Sequence, residues 1–102
     1  MRKRLLIFSV CVFCFVSGTA VAGDPFAGQS IYNSKCAGCH GGDGRGVLAG
    51  TPSFRAGSQA LMKPDFKLKQ IIERGKGVMP AFQNILKEDQ IYDVIAHIRT
   101  FY

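Results

Sequence analysis

The sequence predicts an all-α domain of three to five short helices joined by long loops. Three observations predict it. Apolar residues recur at helical spacing in two stretches, Leu68–Ile71–Ile72 and Ile91–Val94–Ile95–Ile98. Asp24-Pro25 pairs an N-cap residue with a proline at the first helical position. No stretch alternates apolar and polar residues as a half-buried strand does.

The elements follow in order. A first helix runs from Asp24-Pro25 to about Lys35, with Phe26, Ile31 and Tyr32 as its main apolar members. Gly41-Gly42-Asp43-Gly44-Arg45-Gly46 is too rich in glycine for helix or strand, so a loop follows. Irregular chain continues through Thr51-Pro52-Ser53-Phe54 to about Gln59, with a short helix around Ser58–Met62. Pro64-Asp65 starts another helix, which Gly75 ends. Gly77-Val78-Met79-Pro80-Ala81-Phe82 reads as extended loop, since a proline disfavours helix in the residue before it. The last helix carries the clearest apolar stripe, extended by Phe101 or Tyr102. Gln90 at N3 supplies half of a capping box, and Leu86 and Ile91 are placed to form a hydrophobic staple. Lys87 is a poor N-cap residue.

The first 22 residues have a different chemistry. Arg2, Lys3 and Arg4 precede an apolar run from Leu5 to Val16, and small residues end in Ala20-Val21-Ala22. This is the pattern of a secretory signal peptide cleaved after Ala22, leaving one domain over 23–102. The run is shorter than the roughly 20 apolar residues that span a bilayer, so no stable membrane span is expected. Removing the leader takes three positive charges and lowers the formal charge from +6 to +3. The remaining basic residues are interspersed with acids, which argues against nucleic acid as a partner.

Cleavage also discards Cys11 and Cys14 and leaves Cys36 and Cys39. A disulfide between these two would close only a tight local loop and stabilise little. Followed by His40, they form Cys-x-x-Cys-His, the attachment motif for a c-type haem. The spacing lets two thiols meet two vinyl groups on one edge of the porphyrin while the next residue sets an imidazole beneath the iron. A single covalent haem c also answers a physical need. Domains near 60 residues bury only about 60% of their unfolded surface, and small scaffolds with glycine-rich loops need a staple.

Two other readings compete. A thioredoxin-type redox pair expects a strand–helix context that is missing here. A zinc site needs four ligands; Cys36, Cys39, His40 and His97 supply the number, but His40 adjoins Cys39 and His97 lies within the apolar stripe. For the sixth iron ligand the candidates are Met62, Met79 and His97. Met79 is preferred, because it lies in a loop after a helix beside Pro80, and His/Met ligation is a known cytochrome arrangement. Met62 reads as packing. Gly42-x-Gly44-x-Gly46 lacks the preceding strand of a phosphate-binding loop and reads as close packing at the haem edge.

The chain resembles the class I c-type cytochromes of the small bacterial, one-haem kind over essentially all of 23–102. Gly28-x-x-x-Tyr32-x-x-x-Cys36-Ala37-Gly38-Cys39-His40-Gly41 resembles the family's first helix and haem motif. Gly77–Phe82 resembles its methionine-ligand loop, and Asp93–Arg99 its C-terminal helix. The resemblance implies a small cytochrome c fold wrapped around one haem. It implies that the Pro52 carbonyl accepts the Nδ1–H of His40, which fixes the ring and raises its basicity, and that Gly28 lets the first and last helices cross closely. His97 departs from the family, which usually carries Tyr or Phe there; a flat core side chain is the expected role, with a pH-sensitive group or alternative iron ligand as the sharper readings.

With both axial positions filled, the expected function is one-electron transfer rather than catalysis: a periplasmic carrier cycling Fe(III)/Fe(II). Its partners would be larger redox proteins, donor and acceptor, docking briefly at the haem edge. Lys76 and Lys87 flank the Met79 loop, where they would steer acidic partners or stand as solvated charges. The competing functions are a cytochrome subunit of a redox enzyme complex and a haem-based ligand sensor in which Met79 leaves the iron.

Overall fold

Helix α1, Pro25–Lys35, begins where Asp24-Pro25 predicts. In the computed structural model, which describes Leu6, Ile7, residues 9–12, Cys14 and residues 23–101, the Asp24 carboxylate accepts hydrogen bonds from the N–H groups of Phe26 (2.9 Å) and Ala27 (3.4 Å). These satisfy two donors that a helix start otherwise leaves open. The cleavage site expected after Ala22 lies outside the described residues, as does Tyr102.

A four-residue helix α2, Ala37–His40, follows directly, and then a 3₁₀ turn, Gln59–Met62. Helix α3 spans Asp65–Arg74 and α4 spans Glu88–Ile98. The fold is all-α. Among the described residues the sole β-type pairing is an isolated bridge between Lys76 and Met79. No helix there is long and apolar enough to cross a membrane.

Helix α4 organises the core. Its residues Ile91 and Ile95 join Leu68, Ile72, Phe82 and Leu86 in one apolar cluster. Val94 and Ile98, on the neighbouring ridge, join Tyr32 and Phe54 in a second. The spacing of four within each pair gives α4 two adjacent apolar stripes, one for each cluster. Each fully buried side chain of this size contributes about 1.5–3 kcal/mol. Leu86 and Ile91 meet in the first cluster, as a hydrophobic staple requires. The Lys87 side chain cannot accept a hydrogen bond from the helix start. Instead Gln90 Oε1 accepts the Lys87 N–H at 2.9 Å, Asp89 Oδ1 accepts the Gln90 N–H at 3.0 Å, and Glu88 and Asp89 place negative charge in the first turn.

Helix α1 packs on α4 through bare backbone. A Cβ at Gly28 would overlap the carbonyl group of Asp93. Asp93 also accepts the Asp24 N–H through Oδ1 at 2.7 Å, tying the start of α1 to the same turn of α4. One sequence expectation fails on this helix. Phe26 is 83% exposed, whereas Tyr32 is fully buried. At about 100° per residue, Phe26 stands some 200° around the helix from Gly28, which faces α4, and so it points to solvent.

The segment after α3 also differs from expectation. Lys76 and Met79 exchange both backbone hydrogen bonds (3.2 and 3.0 Å), so Gly77 and Val78 form the tip of a closed turn rather than extended chain. Gly75 permits it with φ of +73°, where a Cβ would sit 2.5 Å from the Met79 carbonyl oxygen. The chain then runs back along the end of α3. Ile71 O accepts from Gly75 N–H (2.8 Å), Ile72 O from Phe82 N–H (2.9 Å) and Glu73 O from Gln83 N–H (3.2 Å). The open carbonyls of a helix C-terminus thereby anchor the loop that carries Met79.

Candidate functional site

The Cys-x-x-Cys-His motif sits on the short α2 helix. Cys36 closes α1 by donating its N–H to Tyr32 O (2.8 Å), and its own carbonyl accepts from Cys39 (3.2 Å) and His40 (3.0 Å). The glycine-rich loop folds straight back onto this turn. Gly46 N–H donates to His40 O (2.7 Å), while Val47 and Leu48 donate to Cys39 O (2.8 and 3.1 Å). Gly46 thus supplies one of three donors to the last carbonyls of α2, while a Cβ at Gly44 would meet the Phe101 ring. Tyr32, buried behind the motif, donates its hydroxyl to Gly41 O at 2.6 Å. Burial, with the nearby Cys36 and Asp43, pushes the Tyr32 phenol up to about 12, so it stays protonated and donating.

His40 is held on two sides. Its ring stacks on Phe54, with centroids 4.5 Å apart and planes 22° apart. Its Nδ1 lies 3.4 Å from the Pro52 carbonyl oxygen, at the long end of hydrogen-bond range. With Nδ1–H turned to Pro52, the Nε2 lone pair is left for a metal. Burial lowers the His40 pKa and the Pro52 contact partly opposes this; the neutral imidazole that results is the form that ligates.

These groups converge on a cavity of about 480 Å³. Cys36, Cys39 and His40 line it from α2, Pro52 and Phe54 from the following loop, Leu68, Ile71 and Ile72 from α3, and Met79, Pro80 and Phe82 from the turn beyond. The volume lies within the range of cofactor sites. Cys36, Cys39, His40, Pro52 and Met79 thus reach one space, whereas Gly42, Gly44 and Gly46, expected at the haem edge, do not line it. Met62 does not line it either, and at 80% exposed it is not the packed side chain the sequence suggests. His97 does not either. It packs among aromatic rings, 5.1 Å from Tyr32 and 5.0 Å from Phe101, as a flat core side chain would.

The competing chemistries fit this geometry poorly. Among the described residues, no three or more His, Cys, Asp or Glu side chains come together as a metal-ion site, and His97 is engaged on α4. A reactive redox pair depends on a depressed thiol pKa. Here burial, and then the neighbouring Cys39, push the Cys36 thiol up to about 11. Both thiols are unpaired. Two thiols, an imidazole with one nitrogen oriented away and a thioether, set in a largely apolar hollow, are a donor set that suits a covalently attached haem.

Comparison with known proteins agrees. The family model described as cytochrome c oxidase, cbb3-type, subunit III matches residues 23–98. This chain belongs to the class I c-type cytochromes. Cytochrome c6 of Thermostichus vulcanus is 34% identical over 96% of this cytochrome and 91% of its own length. Cytochrome c6 of Rippkaea orientalis is 37% identical, covering 94% of this cytochrome and 91% of the relative. A solved structure of cytochrome c6 from the diatom Phaeodactylum tricornutum superposes with a TM-score of 0.65 at 30% identity, over 76% of this cytochrome and 93% of that one. The cytochrome carries one covalently bound haem c and is an electron carrier, not an enzyme.

Two contacts in the site were not foreseen from the sequence: Phe54 against His40, and the Tyr32 hydroxyl on Gly41. Phe54 follows Pro52 by two residues in an irregular loop, where no periodicity marks a side chain for burial. The Tyr32 ring was expected in the core, but its hydrogen bond depends on where the loop after His40 turns.

Proposed function

We propose that this cytochrome is a periplasmic one-electron carrier whose haem is held by thioethers from Cys36 and Cys39, with His40 and Met79 as axial ligands. The observation that carries the proposal is the convergence of Cys36, Cys39, His40 and Met79 on one apolar cavity from separate segments of the chain. When bound, the haem supplies the Fe(III)/Fe(II) couple. The protein's residues then have distinct tasks. Pro52 and Phe54 orient the His40 ring. The closed turn at 76–79, anchored on the last carbonyls of α3, restrains Met79. Held this way by their own segments, His40 and Met79 would leave little to rearrange as an electron arrives or departs.

Thioether ligation raises the potential relative to two histidines. Export rests on the leader pattern of residues 1–22. The partners are larger redox proteins, met transiently, with Lys76 and Lys87 adding electrostatic steering toward acidic surfaces. The name of the matched family model gives a second reading, a standing subunit of an oxidase complex; stable co-purification with a membrane complex would favour it.

Replacement of Met79 with alanine tests the axial assignment. The near-infrared sulfur–iron charge-transfer band of the oxidised protein should disappear, and the reduced protein should bind carbon monoxide at neutral pH. Survival of the band would move the ligand role to another residue.

A further inference from the structure

Three lysines, Lys35, Lys63 and Lys76, are among the residues that line the largely apolar cavity. A haem brings two carboxylates, and they lie on the porphyrin edge away from the two vinyl groups. Lys35 adjoins Cys36, at the edge where thioethers would form. Lys76 belongs to the Met79 turn and pairs with Met79 through its backbone. Lys63 stands apart from both, at the end of the 3₁₀ turn that precedes α3.

The backbone at Lys63 is clamped from a distance. The Arg99 guanidinium, just past the end of α4, donates Nη2–H to the Lys63 carbonyl oxygen (2.7 Å), Nη1–H to the Leu61 carbonyl oxygen (3.0 Å) and Nε–H to Asp65 Oδ1 (2.7 Å). Three bonds from one planar fork fix the segment 61–65 far more firmly than a 3₁₀ turn fixes itself. The same clamp occupies the Asp65 carboxylate, the nearest acid in sequence to Lys63. Among the described residues Lys63 takes part in none of the ion pairs. A lysine that lines the cavity, with the adjacent acid already engaged, is set up for an anion that enters with the cofactor.

We propose that Lys63 is the partner of a haem carboxylate and that Arg99 is a positioning residue that holds it there. This rests on the reading that haem fills the cavity. A cation beside the haem favours the reduced, less positive iron. Removing it shifts the redox equilibrium toward Fe(III), by about two- to tenfold for a unit charge some 10 Å away in a partly screened site.

The test is the midpoint potential of the purified holoprotein, with haem content measured in parallel by the pyridine haemochrome method. Lys63→Gln should keep full haem content and lower the potential, and Lys63→Arg should restore it. Arg99→Lys keeps a charge but loses the fork, and it should lower the potential in the same direction. With Lys63→Gln already present, Arg99→Lys should lower it little further, since one acts through the other. A loaded Lys63→Gln protein with the wild-type potential would overturn the proposal. So would an Arg99→Lys protein that melts earlier while its potential is unchanged, which would make Arg99 structural only. A wild-type protein without covalent haem would instead overturn the reading beneath it.

Discussion

The sharpest structural prediction concerns Gly28. Replacing it with alanine adds one methyl group where α1 meets α4. That methyl would fall 2.9 Å from Val94 N and closer still to the carbonyl of Asp93. All three nearest atoms are backbone, so no side chain can swing aside and the helices must separate. Overpacking of this kind costs about 1–3 kcal/mol, and a backbone obstacle belongs at the upper end. Alanine returns about 1 kcal/mol through its better helix propensity. The net loss is about 2 kcal/mol, or roughly 8–16 °C in Tm for a domain of this size. Separation would also loosen Tyr32 from Val94 and Ile98, which share its cluster. Thermal unfolding followed by far-ultraviolet circular dichroism, at matched haem content, measures it. Gly42→Ala serves as the control, because nothing lies within 4 Å of a Cβ there. An unchanged or raised Tm for Gly28→Ala would refute the close crossing of α1 and α4.

Other predictions concern single contacts. Tyr32→Phe keeps the buried ring and removes the 2.6 Å hydrogen bond to Gly41 O; that carbonyl retains the Gly44 N–H at 3.2 Å, so denaturant titration should report a loss of about 1 kcal/mol. Phe26→Ser, on the exposed side of α1, should change stability by no more than about 0.5 kcal/mol in the same assay; a loss above 2 kcal/mol would show that Phe26 is covered. The buried site of His97 lowers its pKa below the ordinary imidazole value of 6.5. Folding therefore favours the neutral ring, and this stabilisation is complete above pH 6.5 and is lost as pH falls through the folded pKa. His97→Phe, which keeps a ring between Tyr32 and Phe101, should flatten the dependence of stability on pH below 6.5; identical slopes in the two proteins would count against it.

Much of the site was legible because its chemistry is local. Cys36, Cys39 and His40 carry their meaning in their spacing, and Met79-Pro80 marks itself by position after a helix. Helix starts were equally legible where a cap residue announces them, as Asp24 does for α1. What escaped was set by distant partners. Phe26 looks like a core residue until the direction of α4 is known. The Met79 segment reads as extended chain because its closure depends on the Gly75 backbone and on carbonyls of α3. Arg99 gives no local sign that its guanidinium reaches residues 61–65, which lie 34 to 38 positions away. Helical periodicity shows which face is buried, and only the packed fold decides against what.

The most direct measurement is mass spectrometry of the peptide containing Cys36 and Cys39, released from the purified protein, together with its pyridine haemochrome spectrum. The expected result is one haem per chain, covalently attached to that peptide, with both thiols consumed and a c-type spectrum. A peptide with two free thiols, or a haem that extracts into acidified organic solvent, would contradict covalent attachment at this motif.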